Sequence, residues 1–182
     1  MEKRMNYTLV FRQPRQKVDR ALPFTNEEEL NAFIEKHEHL LAWYNVENTK
    51  NFIYFEPNEG GRHKNDCVIR ALTKYTGVEY GRIYKTLLRR YPNSTYKRYN
   101  NVIKEGKRIG LVPYYLRHDI DIRDIAENLK HTKALVLQRG HLVAIEKGNI
   151  YDNGTQALGL KNEVIMLKPQ HANEWLEKVA RI

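Results

Sequence analysis

Cys67 is the only cysteine in the chain, and it stands where Asn65-Asp66-Cys67-Val68-Ile69-Arg70-Ala71-Leu72 turns into a helical pattern. A thiol attacks a carbonyl only as the thiolate. The positive end of a helix and a nearby imidazolium both lower its pKa, so a cysteine that opens a helix needs one more part, a histidine delivered by the fold. His141, at the head of an apolar strand far downstream, is the candidate base. The hairpin that His141 begins offers a candidate acid, Asp152. With either Lys147-Gly148 or Gly148-Asn149 as a two-residue turn, His141 and Asp152 share a face; with Lys147-Gly148, Asp152 falls opposite Val143 and diagonal to His141, near enough for an imidazole–carboxylate contact. A three-residue loop would put the two on opposite faces. The acid would fix the ring's tautomer and stabilise its charged form, leaving the other ring nitrogen for the thiol.

Acyl transfer also needs donors for the developing oxyanion. The Cys67 backbone N–H is the natural first one, and the second is expected from Asn65, with His63 as the weaker choice. As bases, His63 lies in a loop with no orienting acid, and His118, His131 and His171 are weaker still. Taken singly, each member has an ordinary explanation: a cysteine on an amphipathic helix is usually an inert small hydrophobe, and Asp152-Asn153-Gly154 is a common turn. The joint pattern is what points to catalysis.

These residues must be positioned by two kinds of element. From Asp66 the apolar positions Val68, Ala71, Leu72 and Tyr75 follow helical spacing, and Thr76-Gly77 supplies a stop. A second helix carries Tyr80, Ile83, Tyr84, Leu87 and Leu88 before Pro92. A third, capped near Ser94 or Thr95, carries Tyr99, Val102 and Ile103, and Asp121 caps a fourth with Ile122, Ile125 and Leu129. The pattern then changes to short β-rich runs at 134–138, 141–145, 149–151 and 163–167, separated by turns with Gly140, Gly148 and Gly154. Helices first and strands after predict an α+β fold, a mostly antiparallel sheet packed on the cysteine helix. Residues 1–55 read as a small ββαβ module, with strands at 6–12, 18–24 and 41–46 and a helix capped at Thr25-Asn26, in front of a main body over 56–182. A turn-rich loop, Glu56 to Lys64, delivers the chain to Cys67.

A chain of 182 residues suits one ordinary domain with a small appendage. One cysteine leaves no internal disulfide and no cluster with zinc-ligand spacing, so neither metal nor cofactor is expected and a reducing compartment fits. The polar start Met1 to Asn6 and the lack of any apolar run near the ~20 residues of a membrane helix predict a cytoplasmic protein with no membrane partner. Lys and Arg number 31 against 22 Asp and Glu, a net charge of +9, which predicts attraction to anionic partners. Arg89, Arg90, Lys97, Arg98, Lys104, Lys107 and Arg108 interleave with Tyr91, Tyr96 and Tyr99, a mixture that can serve nucleic acid or can be a solvated helical face with half-buried tyrosines.

Asp66-Cys67 opening a helix, His141 followed by four apolar residues, and Ile150-Tyr151-Asp152 closing the next strand together resemble cysteine peptidases of the papain-like fold. The similarity is greatest to bacterial peptidases that process double-glycine leader peptides, and Cys67-Val68-Ile69-Arg70-Ala71-Leu72 is similar to the nucleophile helix of ovarian-tumour-type deubiquitinases. The resemblance runs over about residues 61–168 and implies a papain-like fold with Cys67, His141 and Asp152 as catalytic triad. It implies a peptidase or isopeptidase acting through an acyl-enzyme on a protein or peptide; deamidation, transglutamination and acyl transfer use the same machinery. Gly61 stands where the papain-like enzymes carry an oxyanion-donating Gln. Val68 replaces the leader peptidases' Gly, Asn153 their Pro, and Lys64 the ovarian-tumour family's acid. The competing reading is a non-enzymatic basic protein on the same fold, binding nucleic acid or an acidic protein through Lys97, Arg98, Lys104, Lys107 and Arg108.

Overall fold

The structure, a computed structural model, describes residues 2–16, 20–58, 65–116 and 120–179. Expectations that concern Lys17, Val18, Gly61, His63, Lys64 and His118 fall outside them. The architecture is α+β: an eight-stranded mixed sheet with helices on its faces. In chain order the strands and helices are β1 (Glu2–Arg12), β2 (Arg20–Phe24), α1 (Glu27–His37), β3 (Trp43–Phe55), α2 (Cys67–Thr76), α3 (Tyr80–Arg90), α4 (Tyr99–Arg108), β4 (Val112–Tyr115), α5 (Ile122–Asn128), β5 (Lys133–Gln138), β6 (His141–Glu146), β7 (Asn149–Asp152), β8 (Asn162–Leu167) and α6 (Pro169–Val179). The strands lie in the order β2-β1-β3-β7-β6-β5-β8-β4.

All neighbours pair antiparallel except β3 and β7, which run parallel with Tyr54 beside Asp152. The boundary expected at residue 55 coincides with the end of β3, yet β3 serves both sides of it. Its partner on one edge is β1, on the other β7, and Phe52 and Phe55 are buried in the main-body cores.

The strand expected at 41–46 is therefore corrected to Trp43–Phe55. Its polar middle, Glu47 to Asn51, reads as a turn in sequence; pairing with β1 keeps it extended, and a register shift between Met5 and Tyr7 accommodates the extra residues. The expected cap of α4 is corrected too. Ser94 and Thr95 lie in a 3₁₀ turn over Pro92–Lys97 where Asn93 and Ser94 take left-handed φ of 58° and 57°, and the α4 N-cap is Arg98, with no side-chain bond. A residue in that conformation cannot begin a right-handed helix.

Other caps follow the sequence. Asn26 accepts from the Glu29 N–H at 2.8 Å and Asp121 from the Arg123 N–H at 2.7 Å, while Gly77 closes α2 with φ 71°.

Helices cover both faces of the central strands. On one, Leu135, Leu137, Leu142, Ala144 and Met166 pack with Val68, Ile69 and Leu72 of α2, Leu87 of α3 and Val102 and Ile103 of α4. On the other, Ala134, Val136, Val143, Ile145 and Ile165 pack with Ile122 and Ile125 of α5 and Trp175 of α6. Two covered faces explain why β5 and β6 read as nearly continuous apolar runs. The sequence reading contains neither α6 nor β4: β4 is four residues long with Pro113 inside it, and α6 is recognised mainly by one apolar side, Ala172 and Trp175.

Candidate active site

Cys67 is the first residue of α2, a helix whose opposite side is fully buried, so packing fixes where the thiol stands. The Ile69 and Arg70 N–H groups bond to the Asp66 carbonyl at 2.8 and 3.0 Å, which starts the helix. The Cys67 N–H belongs to this first turn, where amides have no partner within the helix itself. Cys67 is partly exposed in a cleft of about 620 Å³, whose walls include Asn65, Val68, Lys97, Tyr99, Val102, Leu137, Gln138, His141 and Asn153.

The β6–β7 turn is the two-residue one, Lys147-Gly148, with φ of 50° and 78° and Glu146 paired to Asn149. Both positive angles belong to the turn type that suits the strand twist. That register runs to Ala144 opposite Tyr151, and Asp152 follows as the last residue of its strand. His141 is the first residue of β6 and Asp152 the last of β7, so their side chains meet at the rim of the sheet, where α2 also begins. His141 Nε2 lies 2.6 Å from Asp152 Oδ2, and both groups are more than nine-tenths buried. The other ring nitrogen, Nδ1, is left free of Asp152, and His141 and Cys67 line the same cleft and influence each other's ionisation.

The electrostatics of thiol and ring are complementary. Burial pushes the Cys67 pKa up, but the hydrogen bond and charge of His141, the Leu142 backbone N–H and the Arg70 charge outweigh it and leave the thiol below its ordinary value. For His141, burial opposes the charged form, yet contacts with Asp152 and Cys67 raise its pKa to about 9. Both shifts run toward the ion pair, a thiolate facing an imidazolium.

Behind this pair stands a buried charge cluster that the sequence reading did not contain. Arg70 is 7% exposed; its Nη1 reaches Asp66 Oδ1 at 2.8 Å and Glu56 Oε2 at 3.6 Å, and its Nη2 reaches Asp152 Oδ1 at 3.5 Å. The Asn153 N–H donates to Asp152 Oδ1 and its side-chain amide to Glu56 Oε2, both at 2.8 Å. Asp66 does not cap α2 with its side chain. Its carboxylate turns inward and accepts from Tyr80 Oη at 2.7 Å and Asn58 Nδ2 at 3.2 Å. The i, i+4 spacing of Asp66 and Arg70 was the available signal for the cluster.

Asn65 lines the same cleft, exposed, with a left-handed φ of 57° that carries the loop into α2. Gln138 is fully buried opposite His141 and donates to the Ala157 carbonyl at 2.8 Å and Asn162 Oδ1 at 2.7 Å, pinning the turn after β7 to the sheet. His131 and His171 sit elsewhere, in a cavity with Tyr75 and Thr76 at the far end of α2. Among the described residues no group of three or more His, Cys, Asp or Glu side chains is arranged to hold a metal ion, and no helix is long and apolar enough to cross a membrane. Comparison of the chain with protein-family models, curated proteins and solved structures gives no match.

Proposed function

We propose that the protein is a cysteine hydrolase of the papain-like fold, a peptidase or isopeptidase with Cys67 as nucleophile, His141 as acid and base, and Asp152 as the residue that orients His141. The observation that carries this reading is the buried 2.6 Å contact of His141 with Asp152 in the cleft that exposes Cys67, with thiol and ring pKa values moved in opposite directions. The Cys67 thiolate attacks the substrate carbonyl carbon, and the carbonyl π pair moves onto oxygen. The Cys67 N–H and the Asn65 amide stabilise that oxyanion. His141 gives its proton to the leaving amine as the C–N bond breaks, which leaves a thioester. Water then attacks the thioester while His141 takes its proton, and the thiolate departs with the product acid. Deamidation, transglutamination or acyl transfer differ only in which amine leaves or which nucleophile resolves the thioester.

The test is stoichiometric labelling with iodoacetamide and with a peptidyl vinyl sulfone, located by mass spectrometry, together with turnover on a peptide library. Cys67→Ala must abolish both labelling and turnover. A variant as active as the wild type defeats the reading.

A further inference from the structure

We propose that the cleft receives an acidic polypeptide segment, bound at Lys97 and guided there by a row of cations, Lys97, Arg98, Lys104 and Lys107; this rests on the cysteine-hydrolase reading and specifies its substrate class. The charges around Cys67 are unequal in their commitments. Arg70 is enclosed by Asp66, Asp152 and Glu56, and those carboxylates are in turn taken up by Arg70, Tyr80, His141 and Asn153. Lys97 is the cleft cation with no carboxylate against it among the described residues. Its ammonium lies 5.6 Å from the centre of the buried Tyr96 ring, which holds the side chain to the cleft wall.

From that point the cations continue outward. Arg98 follows directly, and Lys104 and Lys107, one turn apart, are exposed on α4, about 7.5 and about 12 Å along its axis from Tyr99. Arg90 and Arg108 do not belong to the row, because both are paired with Glu105. A cleft with one sign of uncommitted charge among the described residues, on a chain of net charge +9, concentrates ligands of the opposite sign.

The chemistry of the row favours a polypeptide over nucleic acid. Base stacking needs exposed aromatic faces among the cations. Here Tyr96 is buried, and Tyr91 is half-buried with its hydroxyl bonded to Glu105 Oε1 at 2.7 Å, so of the tyrosines interleaved with the cations only Tyr99 is exposed, with Tyr115 of β4 near it. The row also ends at a thiol poised for a carbonyl, which a peptide supplies beside its carboxylates.

Two arms test the proposal. The first measures second-order labelling of Cys67 by a matched pair of peptidyl vinyl sulfones with Glu or Gln next to the reactive group. The Glu probe is expected to react about threefold to fivefold faster at low salt, the size of one exposed ion pair. Lys97→Glu should reverse that order, while Lys85→Glu, on α3 away from the cleft, leaves it. Equal rates, or a preference indifferent to Lys97→Glu, overturn the proposal. The second arm is independent of catalysis: anisotropy of the full-length Cys67→Ala protein with a fluorescein-labelled Glu-rich peptide, its Gln analogue and a single-stranded oligothymidylate of the same charge. Binding confined to the Glu peptide, and lost in Lys97→Glu, supports the row as a carboxylate track. Tighter binding of the oligonucleotide assigns the row to nucleic acid and overturns the proposal, as does no binding at all. If neither vinyl sulfone modifies Cys67 but the Glu peptide binds, the hydrolase reading fails and the acidic partner stands.

Discussion

Arg70 and Asp152 are joined by a buried ion pair, Nη2 to Oδ1 at 3.5 Å, which ties the helix bearing Cys67 to the strand end bearing the acid of His141. Because the same guanidinium also holds Asp66 and Glu56, one side chain fixes the distance between the Cys67 helix and the His141–Asp152 pair while adding positive potential at the thiol.

Arg70→Met therefore leaves three carboxylates facing one another without their cation. Breaking a buried pair in this way costs roughly 3–5 kcal/mol, read as a fall in the urea unfolding free energy. The Cys67 pKa should rise as well, measured by ultraviolet thiolate absorbance across a pH titration. Arg70→Lys, which keeps the charge, should show the smaller change in both.

The pH dependence follows from His141. Its pKa of about 9 lies above its ordinary 6.5, so the stabilisation it provides is complete below about 6.5 and is lost as pH rises through about 9. The melting-temperature difference between the wild type and His141→Gln should be largest at the acid end of that window and close above it. Turnover should fall on the alkaline side through the same pH, where no proton remains for the leaving amine. An alkaline limb that persists unchanged in Asp152→Asn removes the link between the two residues.

Asn65 separates two roles by substitution. Asn65→Gly keeps the left-handed φ of 57° without strain and removes only the amide. Loss of one oxyanion donor lowers kcat by about 10²–10³ with KM unchanged. If kcat is preserved, the donor is elsewhere.

The Lys147-Gly148 turn sets the register on which His141 and Asp152 depend. Lys147→Asn, a residue that tolerates φ of 50°, should raise the unfolding free energy by a few tenths of a kcal/mol. Gly148→Ala should lower it by about 1–2 kcal/mol through its φ of 78°, since an added Cβ finds only ordinary contacts with Lys130 and Ala126.

What sequence reasoning captured was local or governed by parity. Cap residues Asn26 and Asp121, the Gly77 stop and the alternation through the Lys147-Gly148 hairpin are set by neighbours within a few residues, and they predict the arrangement of His141 and Asp152 without knowledge of the rest. What escaped it is non-local. The polar middle of β3 stays extended only because β1 pairs with it, and Glu56 and Asn153 meet although 97 residues separate them. The Arg70 cluster gathers charges from three separate segments, so only its Asp66–Arg70 part leaves a trace in spacing.

The parallel pairing of β3 with β7 has a consequence for the order of assembly. During synthesis the helix with Cys67 emerges early, whereas β6 and β7 follow the whole helical half, and β7 then inserts beside a strand made long before. Contacts of such sequence separation form late. A nascent chain thus carries Cys67 on a formed helix well before His141 and Asp152 exist beside it, and the three meet only when the sheet closes.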